Sequence, residues 1–122
     1  MDLTFEQRSE GTTTVIRATG RIVLGAEADA LDSTVKAALN DVNEVLLNLA
    51  GVNYVDSSGL GLLVRMNTAA RARKKRIVLC CLTERIQHLF KMTNVTGLFQ
   101  IFADEASALS LRPPISSSSA SS

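Results

Sequence analysis

The chain of 122 residues has few aromatic residues and almost no net charge. It contains no tryptophan, one tyrosine and four phenylalanines, and its thirteen basic and twelve acidic residues leave a formal charge of +1. So few rings argue against a platform for stacking bases. A charge so close to zero gives no strong attraction to phosphate backbones. We therefore expect no direct nucleic-acid partner.

Residues that hold metals or perform catalysis are also scarce. His88 is the only histidine, and Cys80 and Cys81 are the only cysteines. This set does not provide the usual ligand spacing of a metal site, and a solvated position on a helix is expected for His88. Neighbouring residues of a strand point to opposite faces, so the two cysteines are expected to pack as reduced thiols without bridging. The sequence predicts no cofactor, no metal and no enzyme activity.

Long apolar runs are missing as well. Nothing approaches the length needed to cross a bilayer, and the first residues, MDLTFEQRSE, are acidic and polar where a signal peptide is basic and then apolar. We expect a cytoplasmic protein with no membrane contact. The hydrophobic fraction of 46% is mostly aliphatic, which at this length predicts one domain with one core.

Hydrophobic periodicity predicts the order of the elements. Two alternating strands should form a hairpin at residues 10–12, and apolar runs predict further strands over 45–49, 77–82 and 98–102. Helical spacing predicts four helices. The first covers residues 26–41, and the second is the stretch into which VNYVDSSG turns and which ends near Arg73. The third is capped by Thr83, with Ile86, Leu89, Phe90 and Met92 inward, and the fourth covers residues 105–112 and is capped by Asp104.

These elements predict a single α/β domain over residues 1–112. Its mixed sheet should have four to five strands, with about four helices mainly on one face. Residues 113–122, PPISSSSASS, have no apolar periodicity and are expected to be a flexible tail rich in proline and serine.

The motif Asp56-Ser57-Ser58-Gly59-Leu60-Gly61 interrupts apolar sequence at a junction from strand to helix. Asp56 or Ser57 is suited to be the N-cap of the following helix. Gly59 and Gly61 would each cost about 1 kcal/mol in its first turns, which indicates either a close approach by another element or a surface open to a partner or ligand. Phosphate would be tolerated there as a ligand or as a covalent group on serine.

Known catalytic and nucleotide-binding motifs do not fit this stretch. A P-loop would need a lysine, and none occurs between Gly59 and Lys74; the dinucleotide fingerprint fails at Val64. The nucleophile elbow G-x-S-x-G is also absent. The sequence therefore favours a binding module, with an enzyme or nucleotide-binding protein and a structural subunit of a larger assembly as the competing classes.

The motif and its surroundings resemble the STAS domain, and within that family the bacterial anti-sigma factor antagonists, over residues 3–112. The resemblance implies a partner-switching protein, a monomer or weak dimer, that binds an anti-sigma factor serine kinase when unphosphorylated. It implies Ser57 as the phosphorylated residue and a separate serine phosphatase that restores it. The implied contact surface is formed by Asp56, Ser57, Ser58, Gly59, Leu60 and Gly61.

Two features of the sequence leave the identity of the binding partner undetermined. Members of this family often carry one acidic residue just after the glycine of the second strand and another near the entrance of the first helix, whereas here Gly20 is followed by Arg21-Ile22-Val23. A role in a stress-signalling assembly or as a subunit of a transporter complex is the alternative. The basic residues 71–76 are interpreted as a solvated helix end, with a docking patch for an acidic partner as the alternative.

Overall fold

The structure, a computed structural model, describes residues 3–110. Strands β1 (Leu3–Glu10) and β2 (Thr13–Ile22) form an antiparallel hairpin in which Leu3 pairs with Gly20 and Glu10 with Thr13. Gly11 supplies the turn with a φ of 62°, a conformation that suits glycine. The predicted hairpin is thus confirmed.

Three parallel strands complete a mixed five-stranded sheet of order β1-β2-β3-β4-β5. They are β3 (Glu44–Val55), β4 (Arg76–Cys80) and β5 (Gln100–Phe102). β3 runs six residues beyond the predicted end, because its second half pairs with β2 from Thr19↔Gly51 to Ile22↔Val55. β5 begins two residues later than predicted, because Leu98 belongs to a 3-10 turn over Thr96–Leu98.

Within residues 3–110, four helices cover the sheet, as predicted. They are α1 (Ala26–Asp41), α2 (Ser57–Ala72), α3 (Glu84–Met92) and α4 (Glu105–Ser110), and Thr83 caps α3 through its side chain. The predicted last helix extended to residue 112, and its final two residues lie outside the described part of the chain, as does the predicted tail over 113–122.

The core explains how the helices divide between the two faces of the sheet. Helices α1, α2 and α3 share one apolar cluster with alternate residues of β2 and β3, including Leu31, Leu63 and Phe90. The opposite face carries a smaller cluster in which Ala108 of α4 meets Val78. Helices lie mainly on one face, as predicted.

Two predictions about single side chains are wrong. Met92 is 69% exposed, since it lies two residues beyond the buried Phe90 and therefore on the other side of α3. Cys81 does not continue β4: its φ of 65° ends the strand at Cys80 and brings the two sulfurs within 3.3 Å of each other. Neighbouring cysteines here do not point to opposite faces, although both are free thiols.

Helix α4 is fastened to the sheet by one carboxylate. Glu105 accepts hydrogen bonds from Arg17 Nε at 2.9 Å, from Arg8 Nη2 at 2.9 Å and from the Asn48 side chain. The three donors come from β2, β1 and β3, so this one residue joins three strands to α4. Among these contacts, the hydrogen bond from Arg17 lowers the pKa of Glu105 most, to about 2.

Candidate functional site

The motif lies at the carboxyl edge of the parallel strands, where β3 ends and α2 begins. Asp56 is extended, and its Oδ1 accepts a hydrogen bond from Gly59 N at 2.6 Å while its main-chain oxygen accepts one from Leu60 N at 2.8 Å. Asp56 is therefore the N-cap, one of the two candidates predicted, and Ser57 is the first residue of the helix. Because Asp56 caps the helix, the hydroxyl of Ser57 is not needed to accept a hydrogen bond from the first turn.

Gly59 is required by the fold. A Cβ at this position would lie 2.0 Å from the main-chain oxygen of Ile22 and 2.8 Å from its carbonyl carbon. The amide of Asp56 also donates to that Ile22 oxygen at 3.3 Å, so the end of β2 is held against the first turn of α2. The close approach predicted from the glycines is present at Gly59.

Gly61 has a different environment. The nearest outside atom to a Cβ built there is Nη1 of Arg65 at 3.3 Å, which is the far end of a flexible side chain. Among the described residues, no backbone or core side chain packs closely enough to demand a glycine at this position. Gly61 instead opens onto a pocket, which is the second of the two explanations that the sequence allowed.

That pocket lies between the β2–α1 loop and the start of α2, with a volume of about 150 Å³. We call it the motif pocket. Its lining comes from three elements: Val23, Leu24 and Gly25 of the loop, Ala28 and Asp29 of α1, and Ser57, Ser58, Gly61, Leu62 and Arg65 of α2. Leu24 is 79% exposed, so the rim offers an apolar side chain next to two hydroxyls. A partner could bury that leucine there.

The six residues of the motif differ in how far solvent reaches them. Ser57 and Ser58 are exposed, and within residues 3–110 no side-chain hydrogen bond holds either hydroxyl. Asp56 and Gly61 are half-buried, whereas Gly59 and Leu60 belong to the core. The structure thus brings Ser57, Ser58 and Gly61 to one surface and places Gly59 and Leu60 beneath it.

A second open cavity, of about 540 Å³, lies on the same edge of the sheet and was not expected from the sequence. It is lined by Arg21, Asn53, Tyr54, Thr83 and Arg85. The guanidinium of Arg21 lies over the ring of Tyr54, with 5.5 Å between its central carbon and the ring centroid. Arg21 of the Arg21-Ile22-Val23 segment and Tyr54 of β3 therefore place a cation and an aromatic ring beside the motif. In the sequence, only Tyr54, the chain's one tyrosine, could have indicated this surface.

The basic residues 71–76 lie at the other end of α2. This helix has 16 residues and so is about 24 Å long, which separates them from the motif. Arg73 donates to Asn40 Oδ1 at 2.6 Å, Lys75 donates to the Val42 oxygen at 3.1 Å, and Arg76 pairs with Glu44 at 3.7 Å. Three of the five basic side chains in this cluster thus join α2 and β4 to their neighbours, which supports the interpretation as a helix end.

Residues 3–110 contain no group of three or more histidine, cysteine, aspartate or glutamate side chains placed to hold a metal. His88 is exposed on α3, as predicted. Within the same described part of the chain, every helix is too short or too polar to span a membrane.

The sheet order and the capped, serine-bearing helix start define a small α/β domain that presents one helix terminus at a sheet edge. The chain belongs to the STAS domain family, whose model matches residues 5–108. The resemblance seen in the sequence is confirmed at this level.

Relatives of known role match part of the chain. An anti-sigma-B factor antagonist of Staphylococcus epidermidis is 37% identical over 59 residues, which are 48% of this chain and 55% of that protein. The chain therefore spans about half the length of the curated relatives it matches.

Solved structures share the fold. The anti-sigma factor antagonist SpoIIAA in its unphosphorylated form gives a TM-score of 0.70 at 21% identity, over 87% of this chain and 93% of that one. The Bacillus cell fate determinant SpoIIAA in its phosphorylated form gives 0.68 at 19% identity, over 89% of this chain and 100% of that one. These likenesses confirm the predicted α/β fold with its mixed five-stranded sheet.

Proposed function

We propose that this chain is an anti-sigma factor antagonist of a bacterial partner-switching pathway, acting in the cytoplasm as a binding module without enzyme activity. In its unphosphorylated state it binds an anti-sigma factor that is also a serine kinase. Phosphorylation of Ser57 ends the complex, and a separate serine phosphatase restores it. The curated relatives carry the name of such antagonists, which supports this assignment.

The observation that carries the proposal is the exposed hydroxyl of Ser57 on the first turn of α2, freed by the cap that Asp56 provides. A kinase needs an accessible hydroxyl whose modification does not unfold its substrate. The start of a helix favours negative charge because its first amides lack partners within the helix. The fold should therefore tolerate a phosphate on Ser57.

The same phosphate would oppose a complex. It adds a charge of about −1.5 to −2 next to the Asp56 carboxylate, and a partner on the motif pocket would have to desolvate both. Two like unit charges about 4 Å apart repel by about 4 kcal/mol at an effective dielectric constant of 20, and every 1.4 kcal/mol changes affinity by about tenfold. Electrostatics at the interface can therefore operate the switch.

The surface around Ser57 supports a protein partner more than a small ligand. The motif pocket holds about 150 Å³, below the usual range for small-molecule sites, and its rim carries the exposed Leu24. Gly61 leaves the backbone of α2 bare at this point, where a partner side chain could approach closely.

Mapping the phosphorylated residue tests the proposal. The host's anti-sigma factor kinase is incubated with ATP and with the wild-type chain, Ser57→Ala or Ser58→Ala, and the products are analysed by mass spectrometry. We expect phosphate on Ser57 of the wild type and of Ser58→Ala, and none on Ser57→Ala. Phosphate on Ser58 or outside the motif would refute the assignment of Ser57.

A further inference from the structure

Cys80 and Cys81 form a pair of neighbouring thiols where β4 ends. The Cys81 thiol donates a hydrogen bond to Cys80 Sγ over 3.3 Å, and neither cysteine belongs to a disulfide. Cys80 is fully buried against Val78 and Ala108, whereas Cys81 is only half-buried. Solvent therefore reaches Cys81, whereas Cys80 is shielded from it.

The backbone holds the pair in this arrangement. Cys81 has a φ of 65°, a left-handed conformation that is unfavourable for a residue other than glycine. Its amide donates to the Phe102 oxygen at 3.2 Å, which continues the pairing with β5 and fixes the turn. A residue in a regular strand would point away from Cys80, whereas this turn directs the Cys81 side chain back toward it.

We propose that Cys80 and Cys81 are an oxidation site, at which a peroxide joins the two sulfurs reversibly into a cyclic disulfide between adjacent residues. This inference is independent of the function proposed above. The thiolate of Cys81, the accessible thiol, attacks one oxygen of hydrogen peroxide. The O–O bond breaks, Cys81 becomes a sulfenic acid, and the departing hydroxide takes up the proton that the thiol released and leaves as water.

The second step uses the buried thiol. Cys80 Sγ attacks the sulfur of the Cys81 sulfenic acid, the S–O bond breaks, and the proton of Cys80 leaves with the departing hydroxide as a second water. In total, two thiols are oxidised, one peroxide is reduced, and one disulfide and two waters form. Burial raises the pKa of the Cys80 thiol, which keeps it protonated and unreactive toward peroxide until Cys81 has reacted.

Adjacency predicts a disulfide that is easy to reduce again. A trans peptide bond holds consecutive Cα atoms about 3.8 Å apart, which is shorter than the usual separation of about 4.4–6.8 Å across a disulfide. The bond would be strained, and strained disulfides are the labile ones. It also closes no loop of chain, so it contributes little stability through the unfolded state. Such a bond suits a reversible modification better than a structural cross-link.

Peroxide treatment of the full-length chain tests the proposal. Hydrogen peroxide is added to the folded protein, remaining thiols are alkylated in denaturant, and the intact mass is measured. We expect a monomer that has lost two hydrogen atoms and both reactive thiols, and that recovers both with dithiothreitol. Oxygen adducts on one cysteine alone, covalent dimers, or equally fast loss of thiols from the urea-denatured chain would overturn the proposal.

Single substitutions assign the two roles. Cys80→Ser should accumulate a sulfenic acid on Cys81 that dimedone traps, and Cys81→Ser should leave Cys80 free for alkylation after unfolding. If circular dichroism shows that either variant is misfolded, binding of phenylarsine oxide to the wild type tests the pair instead. A trivalent arsenical binds tightly only where two thiols lie close together. One arsenic bound per folded chain supports the pair, and no binding overturns it.

Discussion

At the scale of single residues, Gly59 and Gly61 stand two positions apart on α2 and yet have different tasks. A Cβ on Gly59 would collide with the main-chain oxygen of Ile22, which belongs to a strand end that cannot move freely. A Cβ on Gly61 would meet only the end of the Arg65 side chain. The two positions therefore form a matched pair for mutation.

We predict that Gly59→Ala destabilises the fold by about 1–3 kcal/mol, the usual cost of overpacking a tight site. Gly61→Ala should leave the free energy of unfolding unchanged or raise it by up to about 1 kcal/mol, because alanine favours the helix. Urea denaturation followed by circular dichroism measures both. Equal losses in the two variants would contradict the distinction between them.

The open surface at Gly61 yields a separate prediction. Gly61→Val should weaken binding to the kinase while the free energy of unfolding changes little, because its side chain would fill the motif pocket from below. The binding constant from calorimetry and the urea midpoint separate the two effects. A variant that binds as the wild type does would show that Gly61 lies outside the interface.

At the scale of elements, α4 depends on the carboxylate of Glu105. The Arg17 guanidinium, with help from Asn48 and Arg8, holds the pKa of this group at about 2, below its ordinary value of 4.5. A carboxyl with a lowered pKa stabilises the folded state fully above its ordinary value, and this contribution is lost as the pH falls from about 4.5 toward 2.

We therefore predict that Glu105→Gln lowers stability by about 1–2 kcal/mol at neutral pH, a modest amount because Arg8 and Arg17 are partly exposed and screened by solvent. The difference from the wild type should shrink below pH 4.5 and vanish only below about pH 2, where the carboxyl is protonated in the folded state as well. Melting temperatures across this range test it, with Glu10→Gln as the control for an exposed partner of Arg8. A difference that does not depend on pH would contradict the account.

At the scale of the whole molecule, the sequence predicted correctly those helices and strands whose buried residues recur at regular spacing. Helix α1 has the predicted bounds because its inward residues keep a strict helical period. The second half of β3 was missed because exposed residues such as Asn53 and Tyr54 outnumber buried ones there. The separate tasks of Gly59 and Gly61 and the left-handed turn at Cys81 depend on elements distant in sequence, so no local pattern showed them.

The fold also predicts the effect of removing the C-terminal residues 113–122. The five strands and the core they share with the helices lie within residues 3–110, so removal of residues 113–122 should leave the melting temperature and partner binding nearly unchanged. Thermal denaturation of the truncated and full-length chains tests this. A clear fall in melting temperature would mean that the tail packs against the domain.

The central claim is that a phosphate on Ser57 abolishes the complex while the fold persists. The most direct test is the affinity of the anti-sigma factor kinase for the unphosphorylated chain and for the chain phosphorylated at Ser57, by isothermal titration calorimetry, with circular dichroism of both forms. We predict binding at least about tenfold weaker for the phosphorylated form, with closely similar spectra. Equal affinities, or a loss of binding accompanied by unfolding, would contradict the account.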